Sequence, residues 1–177
     1  MGTGMSGWRH IVPLSELSRG PVRVELAPDE ATRAVIARDL GLESLPAFRG
    51  TLTVKPWLDG AEITGRFEAR VEQICGISLD PFETELAAGI EMKVVPPGSP
   101  NAPVESPGSE VEFDLDAPEP PDVLDGDDMD LAAYLVEHLA LEIDPFPRKP
   151  GVAFEYEPET KEESPFAVLR SLKDKDA

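Results

Sequence analysis

The chain has 177 residues, room for one domain or one domain with tails, and 35 acidic residues against 16 basic ones give it a formal net charge of −19. That balance argues against an ordinary nucleic-acid binder, which neutralises phosphates with clustered Lys and Arg. Two readings of the acidity stand side by side: attraction of a basic protein partner, or solubility alone.

A hydrophobic fraction of 41% lets part of the chain bury a core, while 19 prolines and 14 glycines point to another part that does not. The single cysteine, Cys75, excludes an internal disulfide. The start, MGTGMSGWRH, has no apolar stretch of signal-peptide length, and no run of about 18 apolar residues occurs. The M-G-x-x-x-[ST] match at the start has no basic cluster beside it and reads as chance. A cytoplasmic location is expected.

In chain order, residues 1–9 read as a flexible leader. Short strands are predicted over His10–Leu17 and Val22–Leu26, separated by Arg19-Gly20-Pro21. Pro28, Asp29 and Glu30 then open a helix with an apolar stripe of Ala31, Ala34, Val35, Ile36 and Leu40. Gly41 is placed for a left-handed cap, with Leu42 packing back. Leu52, Val54 and Leu58 alternate with Thr51, Thr53 and Lys55, and Asp59-Gly60 is a favoured tight hairpin turn. From Ala61 to Val71 apolar residues alternate with charged or polar ones without a break, which predicts an antiparallel sheet with one wet face. Gly65 is read as a bulge or bend in that strand.

After a turn at Asp80-Pro81, Phe82 to Val94 predicts another strand, interrupted near Ala87-Ala88-Gly89. Residues 97–128 are acidic and proline-rich and read as a mobile linker, with a short strand at Val111, Phe113 and Leu115. The run from Glu105 to Asp130 contains no cation; it is either a solvated, self-repelling linker or a phosphate mimic that shields a basic protein. A second helix begins near Asp128–Asp130, with Leu131, Leu135, Leu139 and Ile143 on one face, and stops by Asp144 because Pro145 follows. Residues 152–177 are expected to form an extended tail, with one or two helical turns near Pro165–Arg170.

Chemistry-bearing constellations are sparse. Cys75, His10 and His138 are too few for a structural zinc site, so no metal or cofactor is expected. Neither histidine has the surroundings of a catalytic base, and His138 reads as a core-edge residue. The carboxylates are too many for any pair to stand out, and Gly-Lys-Ser/Thr does not occur, so the chain reads as non-enzymatic. The most distinctive segment is Asp144-Pro145-Phe146-Pro147-Arg148-Lys149. It is either a rigid contact element that shows an aromatic beside positive charge, or a helix terminator whose phenylalanine packs on the sheet.

That segment, with the Met129–Ile143 helix before it, resembles the signature of the YceD family of ribosomal RNA accumulation factors. Ser164-Pro165-Phe166-Ala167-Val168-Leu169 is similar to the family's Asn-Pro-Phe-x-x-Leu tail. Ala69–Cys75 followed by Leu79-Asp80-Pro81-Phe82 resembles the strand, cysteine and turn of alphaproteobacterial members. The chain departs from the family at Cys75-Gly76-Ile77-Ser78, where many relatives carry Cys-x-x-Cys, so a metal or redox role of that pair lapses here. The resemblance implies one YceD-like domain over 10–177 that supports accumulation or processing of large-subunit ribosomal RNA, with no catalytic residue to carry over.

The expected fold is α+β: a mostly antiparallel, long-stranded sheet over residues 10–96, two packed helices and the acidic linker. The expected partner is large-subunit precursor RNA, met by Arg66, Arg70 and the Asp144–Lys149 segment. The alternative is an acidic escort for a basic ribosomal protein without RNA contact. No membrane or small-molecule partner is expected.

Overall fold

Alternation of apolar and polar residues fixes the inner and outer faces of the sheet, and the computed structural model, which describes residues 7–103 and 120–154, shows how the strands align. The elements are β1 (Ile11–Pro13), a 3-10 helix (Leu14–Arg19), β2 (Val22–Leu26), α1 (Glu30–Asp39), β3 (Ser44–Trp57), β4 (Gly60–Ile74), β5 (Pro81–Val95), β6 (Asp122–Val123), β7 (Asp128–Asp130) and α2 (Leu131–Glu142). The main sheet has the order β2-β3-β4-β5-β6, antiparallel except for β5–β6. The fold is therefore α+β, as the sequence indicates.

Phe67, Ile63, Val71, Leu52 and Val54 line the inner face and are almost fully enclosed. Leu131, Leu135 and Leu139 of α2 join them in one core cluster, so the second helix does cover the sheet. Leu135 reaches so close to Gly50 that a Cβ there would have to displace the leucine's methyl groups. The entry to α2 is fixed by Asp130, which accepts from Ala133 N, His10 N and Arg9 Nε.

Several local expectations are corrected. The first strand ends at Pro13, and residues through Arg19 wind into a 3-10 helix that buries Leu17. Moreover, β1 pairs with β7 in a separate two-stranded sheet, so the main sheet begins at Val22. The hairpin turn falls one residue early: Trp57 pairs with Gly60, leaving Leu58 and Asp59 as the turn, with Leu58 at φ 51°. Gly60 is held in the ladder because a Cβ there would strike the Val94 carbonyl. Gly65 makes no bulge, since it pairs with both Leu52 and Ile90. The β5 strand runs through Ala87–Gly89 uninterrupted, since β4 supplies a partner for each of these residues.

In α1 the cap residues Asp29 and Gly41 behave as expected, with Asp29 accepting from Thr32 N at 2.8 Å and Gly41 at φ 69°. Its buried side differs, being Ile36 and Ala37 with Leu40, while Ala31 and Ala34 are exposed. Arg33 explains the rotation. Its guanidinium bonds the carbonyls of Leu45 and Pro28, so a polar residue occupies the sheet-facing side.

Within the stretch read as leader, Trp8 packs edge-on against Phe48, with ring centroids 6.2 Å apart. Within the stretch read as linker, Asp122–Val123 pairs with Val94–Val95, and Leu124 is buried. The strand predicted at Val111–Leu115 and the helical turns near Pro165–Arg170 lie outside the described residues.

Candidate functional site

Register brings the outward-facing residues of four strands into rows. Nearest the Leu58–Asp59 turn, Lys55, Glu62 and Lys93 stand side by side on β3, β4 and β5. The next row is Arg23, Thr53, Thr64 and Glu91, and the third is Glu25, Thr51, Arg66 and Gly89. Trp57 shares this face, and the Lys93 ammonium lies 5.4 Å from its ring centroid. Among the described residues, Arg23, Lys55, Arg66 and Lys93 make no ion pair within 4 Å.

Farther along the sheet the charges are matched. Arg49 is paired with Glu68, while Arg70 meets Glu83 at 3.7 Å and Glu85 at 3.1 Å. Arg49, Glu68, Arg70 and Glu85 border an open groove of about 600 Å³ that Arg33 also lines. Pairs this exposed contribute little to stability, and their guanidiniums are only loosely committed. The predicted residues Arg66 and Arg70 thus share one face but differ in state: Arg66 is unpaired and Arg70 is held by two carboxylates.

The Asp144–Lys149 segment forms a clasp on the β4–β5 turn. Asp144 accepts from Phe146 N at 2.8 Å and, through its carbonyl, from Gln73 Nε2 at 3.0 Å. Gly76 N donates to the Pro147 carbonyl at 2.9 Å, and Lys149 Nζ lies 3.7 Å from Asp80. Pro145 and Pro147 border a recess with Leu40, Ile74 and Ile143. Phe146 itself is 78% exposed, so it does not pack on the sheet, and Arg148 beside it is exposed and unpaired among the described residues. The clasp sits at the Ile74 end of β4, far along the strand from Lys55 and Trp57. Among the described residues no ion pair or hydrogen bond links Arg66 or Arg70 to this segment.

Cys75 is the centre of the clasp. Its sulfur is fully enclosed and accepts backbone N–H groups from Ile77, Ser78 and Lys149 at 3.5, 3.5 and 3.4 Å. The Ser78 hydroxyl and these N–H groups hold the thiol down to about 6, against an ordinary value of 9.0, with burial opposing them. Ser78, at the second position of the Cys-x-x-Cys pattern, thus donates its backbone N–H to the sulfur, while its hydroxyl accepts from Asp80 N at 3.4 Å. Because the folded value lies below the unfolded one, this stabilisation is fully present above about pH 9 and is lost as pH falls through 6. Urea unfolding should therefore show stability rising from pH 6 to 9, and Cys75→Ala should flatten that rise.

Among the described residues, no group of three His, Cys, Asp or Glu converges to hold a metal, and no helix is long and apolar enough to cross a membrane. The His138 ring nitrogen Nδ1 lies 2.8 Å from the Tyr134 carbonyl, an ordinary contact within its own helix.

The family model described as large ribosomal RNA subunit accumulation protein YceD matches residues 63–173, well over half the chain. The chain belongs to the YceD family. The match begins within β4 and takes in β5, α2 and the clasp. This membership supports a role in ribosome biogenesis, and the family's description names no reaction. No curated protein and no solved structure matches the chain.

Sequence reasoning missed Arg23, Lys55, Lys93 and Trp57 as a group. Alternation places Arg23 and Lys55 on polar faces, but it gives no cross-strand register, and register is what unites them with Arg66.

Proposed function

We propose that this YceD-family chain is a non-enzymatic factor that supports accumulation and processing of large-subunit ribosomal RNA by contacting the precursor RNA. The observation that carries this reading is the set of cations outside any ion pair within 4 Å, Arg23, Lys55, Arg66 and Lys93, beside Trp57 on one sheet face. In a chain of net charge −19, cations not held in a close ion pair are the groups most available to phosphate, and an aromatic among them can stack on a base. Threonine hydroxyls at 51, 53 and 64 add hydrogen-bonding capacity between them. The exposed Phe146 and Arg148 offer a second contact of the same chemistry, while Arg70 and Lys149 would first have to leave Glu85 and Asp80.

Replacing Lys55 and Arg66 together by alanine is expected to weaken binding to a large-subunit precursor RNA fragment by about tenfold. The slope of log affinity against log salt should fall by about 1 to 2. Unchanged affinity in filter binding across a salt series would refute contact through this face. A second reading, an acidic escort for a basic ribosomal protein, is favoured by the exposed carboxylates of β5. Arg148→Ala with Lys149→Ala separates the two, since it weakens RNA binding but leaves an escort's affinity intact or slightly higher.

A further inference from the structure

The β5 strand is 15 residues long, and β4 occupies one of its edges throughout. On the other edge β6 pairs only with Val94 and Val95. Among the described residues, nothing pairs with that edge from Pro81 to Lys93. Every second residue of this stretch therefore turns its N–H and C=O outward, in the arrangement that templates another strand.

The side chains along this edge have a definite character. On the outward face Glu83, Glu85 and Glu91 are exposed, separated by the small Ala87 and Gly89. On the inner face Phe82, Leu86, Ala88 and Met92 are only half-buried, on either side of the buried Ile90. We propose that the open edge of β5 is a docking site for an extended, basic polypeptide segment, which adds to the sheet as a further strand.

Such a segment would set Lys or Arg against Glu91 and, in competition with Arg70, against Glu83 and Glu85, and its alternate apolar residues would continue the inner face over Leu86 and Met92. The same carboxylates select against other occupants. A second copy paired edge to edge would bring like charges together, between chains that each carry −19. A nucleic acid would bring phosphates to a row of carboxylates. The proposal concerns the hydrogen-bonding edge of β5 rather than the cations of the outward face, although Glu91 stands on that face in the row of Thr64; it does not depend on the RNA contact and supplies the escort reading with a site.

The test uses the full chain and an eleven-residue peptide alternating lysine with valine, followed by amide NMR and hydrogen exchange. Alternate amides between Phe82 and Met92 should slow by roughly tenfold or more, while their neighbours, already bonded to β4, stay unchanged. The same peptide N-methylated at every second amide keeps its charge but cannot complete the ladder, and should bind at least about tenfold more weakly. Glu83→Lys, Glu85→Lys and Glu91→Lys combined should weaken the parent peptide to a similar degree, with thermal melting as the check on folding. If that variant does not fold, the comparison of the two peptides on the natural chain decides. Equal binding of the N-methylated peptide would reduce the site to non-specific charge and overturn the proposal. So would slow exchange of all these amides in the free protein, which would mean the edge is already covered. Protection of the same amides by an oligouridylate, or no peptide binding, would overturn it as well.

Discussion

Leu135→Ala is expected to lower the unfolding free energy by about 3 to 4 kcal/mol, measured by urea denaturation. Leu135 is fully enclosed and seats α2 on β3, directly over Gly50. Shortening it removes buried methyl groups and leaves a space that a sheet and a helix cannot readily collapse around. The same contact predicts an unusual partner. Gly50→Ala alone should also destabilise, because its methyl group would overlap the Leu135 side chain. In the double variant that methyl enters the space Leu135 has left, so the two losses should fall short of additivity by about 1 to 2 kcal/mol. Strict additivity would show that the helix does not sit where the structure places it.

Gly65→Ala should cost roughly 3 kcal/mol or more, because its methyl group would overlap the Thr51 carbonyl oxygen and the Leu52 side chain. The oxygen belongs to the β3 backbone, so relief requires the two central strands to part. Gly89 supplies the control on the neighbouring strand. A methyl there would meet only the Gly65 carbonyl, at 3.9 Å, which is ordinary contact. Gly89→Ala should therefore be neutral or slightly stabilising, since alanine has less chain entropy to lose. Two glycines on adjacent strands would then differ by several kcal/mol, and denaturation of the two single variants reads that difference. Similar values for both would contradict the register.

Together these contacts account for the geometry of the outward sheet face proposed to meet RNA. Gly65 lets β3 and β4 approach closely one residue from Arg66, and α2 closes the opposite side of the sheet. The outward face is thereby held on a rigid support, with its cations at strand spacing of about 5 Å or its multiples. A destabilised support would loosen the array without touching any charge. RNA affinity should therefore be compared between variants only where both are folded.

What the sequence by itself determined is local. Asp29, Gly41 and Pro145 bound the helices because capping, left-handed φ and the pre-proline restriction act within a few residues. The alternation from Ala61 to Val71 assigned an inner and an outer face, and the structure keeps that assignment residue for residue. The Leu131, Leu135 and Leu139 stripe likewise marked the buried side of α2. Everything that depends on which distant segments meet was left to tertiary structure. The pairing of β1 with β7 joins residues near 12 and 129, and nothing local distinguishes it from pairing in the main sheet. The α1 face turned on Arg33 reaching carbonyls of Leu45 and Pro28, a bond that periodicity counts as a polar interruption. Gly60 and Gly65 read as turn and bulge because glycine permits both, and only the neighbouring strand shows that closeness requires them. Likewise Arg23, Lys55, Arg66 and Lys93 come from four different strands, and the open edge of β5 exists only relative to β4 and β6. Propensity and alternation act along the chain, whereas a binding surface is assembled across it, by hydrogen-bond register.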